Sequence, residues 1–173
     1  WSSDVCSSDL LDDADWVEMV FTHEYMHVLH LDQAEGFPRG LRKVLGSWFF
    51  TFPQIFNPTW VTEGYAVWAE TDARKAVGRG QSALYDAMMR AEVMNGLKDL
   101  SSLSFYGYDS NDWPYGQPYL YGFYFFQFIE ATWGKEKVHE FIASWNRNFI
   151  PFRVDARAQR VFGMNAKALH ARF

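Results

Sequence analysis

The chain has 173 residues, 49% hydrophobic and 19% aromatic, which suits one globular domain with a sizeable core. A net charge of −5 leaves no electrostatic footprint for nucleic acid. A single cysteine, Cys6, excludes an internal disulfide and a cysteine-built zinc site. No run approaches the roughly 20 apolar residues that span a bilayer.

The first ten residues, WSSDVCSSDL, are polar and lack periodicity, and DVCSSDL resembles the translation of a short-read sequencing adapter. Fold reasoning therefore covers residues 11–173, and the natural protein is expected to continue upstream. From Asp13 to about Leu31, Trp16, Val17, Val20, Phe21, Tyr25, Val28 and Leu29 recur at helical spacing behind an acidic start of Asp12, Asp13 and Asp15. His23, Glu24 and His27 on this helix read H-E-x-x-H. Positions i and i+4 project from one face, so both imidazoles can reach one ion, with Glu24 beside them. If that ion is Zn²⁺, two neutral imidazoles leave room for a third ligand and a water whose proton the carboxylate can take. That is the chemistry of metal-assisted hydrolysis. His30 lies about 10 Å along the axis from His23, too far to share an ion, and is read as a packing or supporting residue. Asp32 is read as a helix-end carboxylate.

Residues 34–58 are rich in Gly, Pro and aromatics and predict a long connection folded onto the core, with one short helix near Leu41–Leu45. A lid or a lipid-facing patch is the alternative reading of its apolar content. A second helix is predicted from Thr59 to about Ala76, with Glu63 and Glu70 near one face.

Here a resemblance emerges. H-E-x-x-H followed by W-x-x-E-G-x-A-x-x-x-E resembles the gluzincin metallopeptidases, in particular the peptidase MA-like and aminopeptidase N-like group. The resemblance implies that Glu63, preceding Gly64, is the third zinc ligand beside His23 and His27, with Glu70 in a supporting hydrogen bond. Residues 28–62 intervene, a longer spacing than is usual in aminopeptidase N-like enzymes. Such an insertion is thermodynamically cheap, because closure entropy grows only logarithmically with length.

Residues 79–95 predict a helix with Leu84, Met88, Ala91 and Met94 on one stripe. Residues 100–117 read as a loop, in which Asp112 and Tyr115 resemble the D-x-x-Y-G of aspzincins and make Asp112 a rival third ligand. Pro118 to Thr132 is apolar on every side and predicts a buried helix ending at Gly134. Its Tyr119-Leu-Tyr121-Gly122 resembles the segment that carries the oxyanion-stabilising tyrosine of aminopeptidase N-like enzymes, which makes Tyr119 the candidate. Lys135 to about Arg147 follows as a helix with Val138, Phe141, Ile142 and Trp145 on one stripe. Two short helical patterns, Arg153–Phe162 and Asn165–Phe173, close the chain around Gly163.

The expected fold is mainly α: the helical active-site portion of a zincin-like, thermolysin-like domain, with the flanking sheet largely missing and the fragment cut at both ends. The expected function is zinc-dependent hydrolysis of peptide or protein substrates, with Glu24 as general base. The rival is a catalytically inactive zincin-like module for binding or envelope architecture. The family resemblance alone implies a bacterial cell-envelope setting and a downstream β-propeller module.

Overall fold

Eight α-helices joined by short 3-10 turns carry the described residues of the computed structural model, which are 16–71, 77–103, 116–147, 150 and 153–173. No β-strand occurs among them, as a mainly α chain requires. The helices are α1 (Trp16–Leu31), α2 (Phe37–Leu45), α3 (Thr59–Glu70), α4 (Ala83–Asn95), α5 (Gln117–Trp133), α6 (Lys135–Ala143), α7 (Val154–Phe162) and α8 (Ala166–His170). They form two compact units, one of residues 1–26 with 59–124 and the other of residues 27–58 with 125–173.

In the first unit α3 is the organising element. Its apolar residues Trp60, Val61, Tyr65, Ala66, Val67 and Trp68 are all buried, so it has no solvent face of the usual kind. Leu120, Tyr121 and Phe123 of α5 and Met89 of α4 complete the core. Helices α3 and α5 meet backbone to backbone, since a Cβ on Gly64 would lie 2.3 Å from Gly122 Cα and one on Gly122 would lie 2.1 Å from Trp60 O. Glycine here serves approach rather than flexibility. On α4 the buried residues are Met89 and Glu92 instead of the expected stripe, and Met94 is exposed. Glu92 accepts a short hydrogen bond from the buried Tyr121 hydroxyl, which itself accepts from the Lys98 backbone N–H at 3.1 Å. A hydroxyl on α5 thus fixes the rotation of α4, which periodicity alone could not reveal.

The second unit is built around aromatic rings. Phe141 lies 4.9 Å from Trp145, 5.4 Å from Phe162 and 6.4 Å from Phe126, centroid to centroid, and Trp133 lies 5.0 Å from Phe162. The predicted stripe of Val138, Phe141, Ile142 and Trp145 is buried in full. Beside it lies a polar island. His30 Nε2 stands 3.1 Å from Gln54 Oε1 and 3.2 Å from Asn57 Nδ2, while Gln54 donates to Ile142 O at 3.1 Å and to Asn146 Oδ1. His30 is a packing residue, as its axial offset from His23 required.

Other boundaries moved. The helix from Thr59 stops at Glu70, six residues before the predicted end, because Thr71 turns its hydroxyl back onto Val67 O at 2.7 Å and accepts from Gly80 N at 3.2 Å. The helix predicted from residue 79 starts at Ala83 behind a 3-10 turn (Arg79–Gln81), with Ser82 capping Leu84 N. Residues 34–58 hold a longer helix than predicted, α2, and two 3-10 turns, Phe49–Thr51 and Pro53–Phe56. Thr51, Pro53, Gln54, Asn57 and Pro58 of this segment are buried as expected, whereas Phe37, Val44, Leu45, Trp48 and Phe49 are exposed. Helix α1 is also inverted relative to its pattern: His23 and His30 are buried, and Trp16, Val17, Phe21, Tyr25 and Val28 face outward.

Two measurements check this architecture. Gly64→Ala and Gly122→Ala each force apart helices in backbone contact and are expected to destabilise the protein by about 1–3 kcal/mol or more, read as a lowered urea midpoint. Burial pulls the His30 imidazole down to about 4, against the partial offset of its bond to Gln54. Between pH 4 and 6.5 the unfolded chain therefore holds a proton that the folded chain does not. This contribution is complete above pH 6.5 and declines, by up to about 1.4 kcal/mol per pH unit, as pH falls toward 4. Urea unfolding at pH 4.5 and 6.5 should show that difference in the wild type and a smaller one in His30→Gln.

Candidate metal centre

His23, on α1, directs its two ring nitrogens at two different carboxylates of α3. Nε2 lies 3.4 Å from Glu63 Oε2, and Nδ1 lies 2.8 Å from Glu70 Oε2. All three groups are buried. The seven-residue spacing of Glu63 and Glu70, two turns of one helix, is what lets a single imidazole lie between them. His27 rides one turn further along the continuous helix α1, and one ligand atom each of His23, His27 and Glu63 lies within 4.8 Å of the others.

The donor set fits zinc. Two imidazole nitrogens and one carboxylate oxygen are ligands this ion accepts at about 2.0–2.2 Å, and tetrahedral bonds of that length hold two ligand atoms about 3.4 Å apart. The separation of His23 Nε2 from Glu63 Oε2 equals that spacing. Among the described residues, His23, His27 and Glu63 supply three of the four positions of a tetrahedral ion.

Around these ligands the structure adds a clamp. Arg79 grips Glu70 in a forked ion pair, Nε to Oε1 at 2.7 Å and Nη2 to Oε2 at 2.9 Å, and its backbone N–H reaches Oε1 at 3.2 Å. The chain can deliver Arg79 there because Gly78, at φ +97°, brings its backbone against the end of α3, where a Cβ would lie 2.7 Å from Glu70 O. Burial raises the Glu70 carboxyl, but the Arg79 and His23 bonds outweigh it and hold the group below its ordinary range, so Glu70 stays ionised. For His23 burial works against the charged form, and the carboxylates of Glu63 and Glu70 outweigh it to raise the imidazole above its usual value.

Two tautomers compete at His23. With the proton on Nδ1, the ring donates to Glu70 and keeps a lone pair on Nε2. With the proton on Nε2, Nδ1 accepts from Arg79 Nη2 at 2.6 Å. Only the first can ligate an ion through Nε2, and a carboxylate at Nδ1 is the partner that favours it.

Of the other residues nominated from sequence, Tyr119 is brought to the site: its ring centroid lies 6.0 Å from that of His23, and the Arg79 guanidinium sits 5.3 Å over the Tyr119 ring. Glu24 follows His23 on α1 and is exposed. Asp112 and Tyr115 lie outside the described residues. Asp32 does not join the site and pairs with Arg42 at 2.8 Å. Arg79 was missed in the sequence because its role depends on a chain reversal; the Gly-Arg-Gly at 78–80 is the only trace of it.

No family model matches this chain, and neither a curated protein nor a solved structure matches it.

The clamp has a measurable consequence. Glu70→Gln and Arg79→Ala leave all three candidate ligands in place, and each is expected to weaken zinc binding by about 10–100-fold, as loss of a ligand's outer partner does. Competition with a chromophoric chelator reads the change directly.

Proposed function

We propose that this chain is the helical, metal-bearing part of a zinc-dependent hydrolase of the gluzincin type, acting on peptide bonds. The observation that carries the reading is the meeting of His23 and His27 with Glu63 from a separate helix, at ligand spacing. The H-E-x-x-H order and the resemblance of the α3 sequence to gluzincins supply the reaction class.

His23, His27 and Glu63 would hold the ion, with Glu70 and Arg79 fixing the tautomer and orientation of His23. When bound there, zinc supplies a Lewis acid and lowers the pKa of a coordinated water toward about 7. Glu24, next to His23 in the H-E-x-x-H order, would take the proton of the attacking water and return it to the leaving amine. The Tyr119 hydroxyl donates a hydrogen bond to the carbonyl oxygen as negative charge gathers on it.

The test uses dye-labelled casein and aminoacyl p-nitroanilides as substrates, with zinc content measured in parallel. Wild type should bind one zinc and hydrolyse at least one substrate class. Glu24→Gln should keep the zinc and lose about 100-fold or more in kcat, the share a general base supplies. Glu63→Ala should lose the zinc. Absence of stoichiometric zinc in the wild type, or full activity in Glu24→Gln, defeats the proposal. Zinc without hydrolysis of either substrate would favour the non-catalytic module.

A further inference from the structure

Helix α2 is docked by the side that amphipathic helices usually expose. On a wheel of about 100° per residue, Phe37, Leu41, Val44 and Leu45 share one face, with Arg39, Arg42 and Lys43 opposite. Yet it is the basic side that is tied down: Arg42 donates to Asp32 O at 2.9 Å, to Asp32 Oδ1 at 2.8 Å and to Thr51 O at 3.2 Å, and Arg39 donates to Ala34 O at 3.0 Å. Arg42 also lies 4.4 Å over the Phe52 ring. The apolar side faces water. Phe37, Val44, Leu45 and, in the following turn, Trp48 and Phe49 are between 55% and 82% exposed. That turn is fastened to α2 through the bond of Arg42 to Thr51 and the 3.3 Å bond of the Thr51 hydroxyl to Gly46 O, so helix and turn form one element.

Charge narrows the occupant. No Asp or Glu occurs between Glu35 and Glu63 in a chain of net charge −5, while Arg39 and Lys43 of the same helix are exposed. Helix α1 also exposes apolar residues, but Glu18 and Glu24 stand exposed among them and oppose an anionic partner. An exposed aliphatic and aromatic face on a cationic segment free of carboxylates matches the headgroup region of an anionic bilayer, where apolar groups enter the acyl boundary and long cationic side chains reach phosphate. No helix among the described residues is long and apolar enough to cross a membrane, so the contact is interfacial.

We propose that residues 37–49 are a membrane-docking element that seats the protein on anionic lipid surfaces. The test is flotation of the full chain with phosphatidylcholine vesicles prepared with and without phosphatidylglycerol. Wild type should float with the anionic vesicles only, and should be released when NaCl is raised from about 0.1 to about 0.5 M. Val44→Ser/Leu45→Ser and, separately, Lys43→Glu should each reduce binding by about tenfold or more while keeping the wild-type circular dichroism, since all three side chains are exposed. Failure of the wild type to float at low salt overturns the proposal, as does wild-type binding by both variants. A lipid-free dimer by light scattering that Val44→Ser/Leu45→Ser converts to monomer also overturns it and assigns the face to self-association.

Discussion

Two carboxylates inside an otherwise apolar helix are the constraint from which the candidate centre follows. Helix α3 is buried along nearly its whole length, so Glu63 and Glu70 cannot be left to water. A buried carboxylate without partners costs several kcal/mol. Glu70 meets that cost with the Arg79 guanidinium and the His23 ring. Glu63 faces the other nitrogen of the same ring. The imidazole of α1 is thereby positioned by the polar demand of α3, and His27, the neighbouring candidate ligand, stands one turn away on the same helix.

That demand also accounts for features that are not chemical in themselves. Gly78 lets the chain return close enough for Arg79 to reach the end of α3, and Gly64 and Gly122 let α5 approach it without intervening side chains. Tyr119, on the first turn of α5, is brought beside His23 by that approach. A glycine, an arginine and a tyrosine widely separated in sequence thus act on one imidazole. The second unit uses the same physics for another end: His30, Gln54, Asn57 and Asn146 form a buried hydrogen-bonded cluster, and desolvation keeps its imidazole neutral.

Burial by periodicity succeeded where a helix had one apolar stripe and a ring-filled core to enter, as in α6. It does not extend to α1 and α2, whose apolar faces look outward. In α2 the reason is visible: Arg39 and Arg42 find backbone and carboxylate acceptors that an apolar side chain could not use, and those charge-assisted bonds fix the rotation of the helix. A wheel shows that two faces differ; it does not show which one has partners waiting.

By itself the sequence determined the mainly helical character, the pairing of His23 with His27 on one face, the exclusion of His30 from their ion, and most helix ends marked by glycine or a polar cap. These are local properties, fixed by a 3.6-residue repeat and by backbone preferences within a few positions. Glu63 could be nominated in sequence only through resemblance, because its distance from His23 depends on how α1 and α3 pack. Arg79, the rotation of α4 and the outward faces of α1 and α2 were decided by tertiary structure alone. Each depends on a hydrogen-bond or ion-pair partner many residues away, and no periodicity within a single helix records where that partner will be.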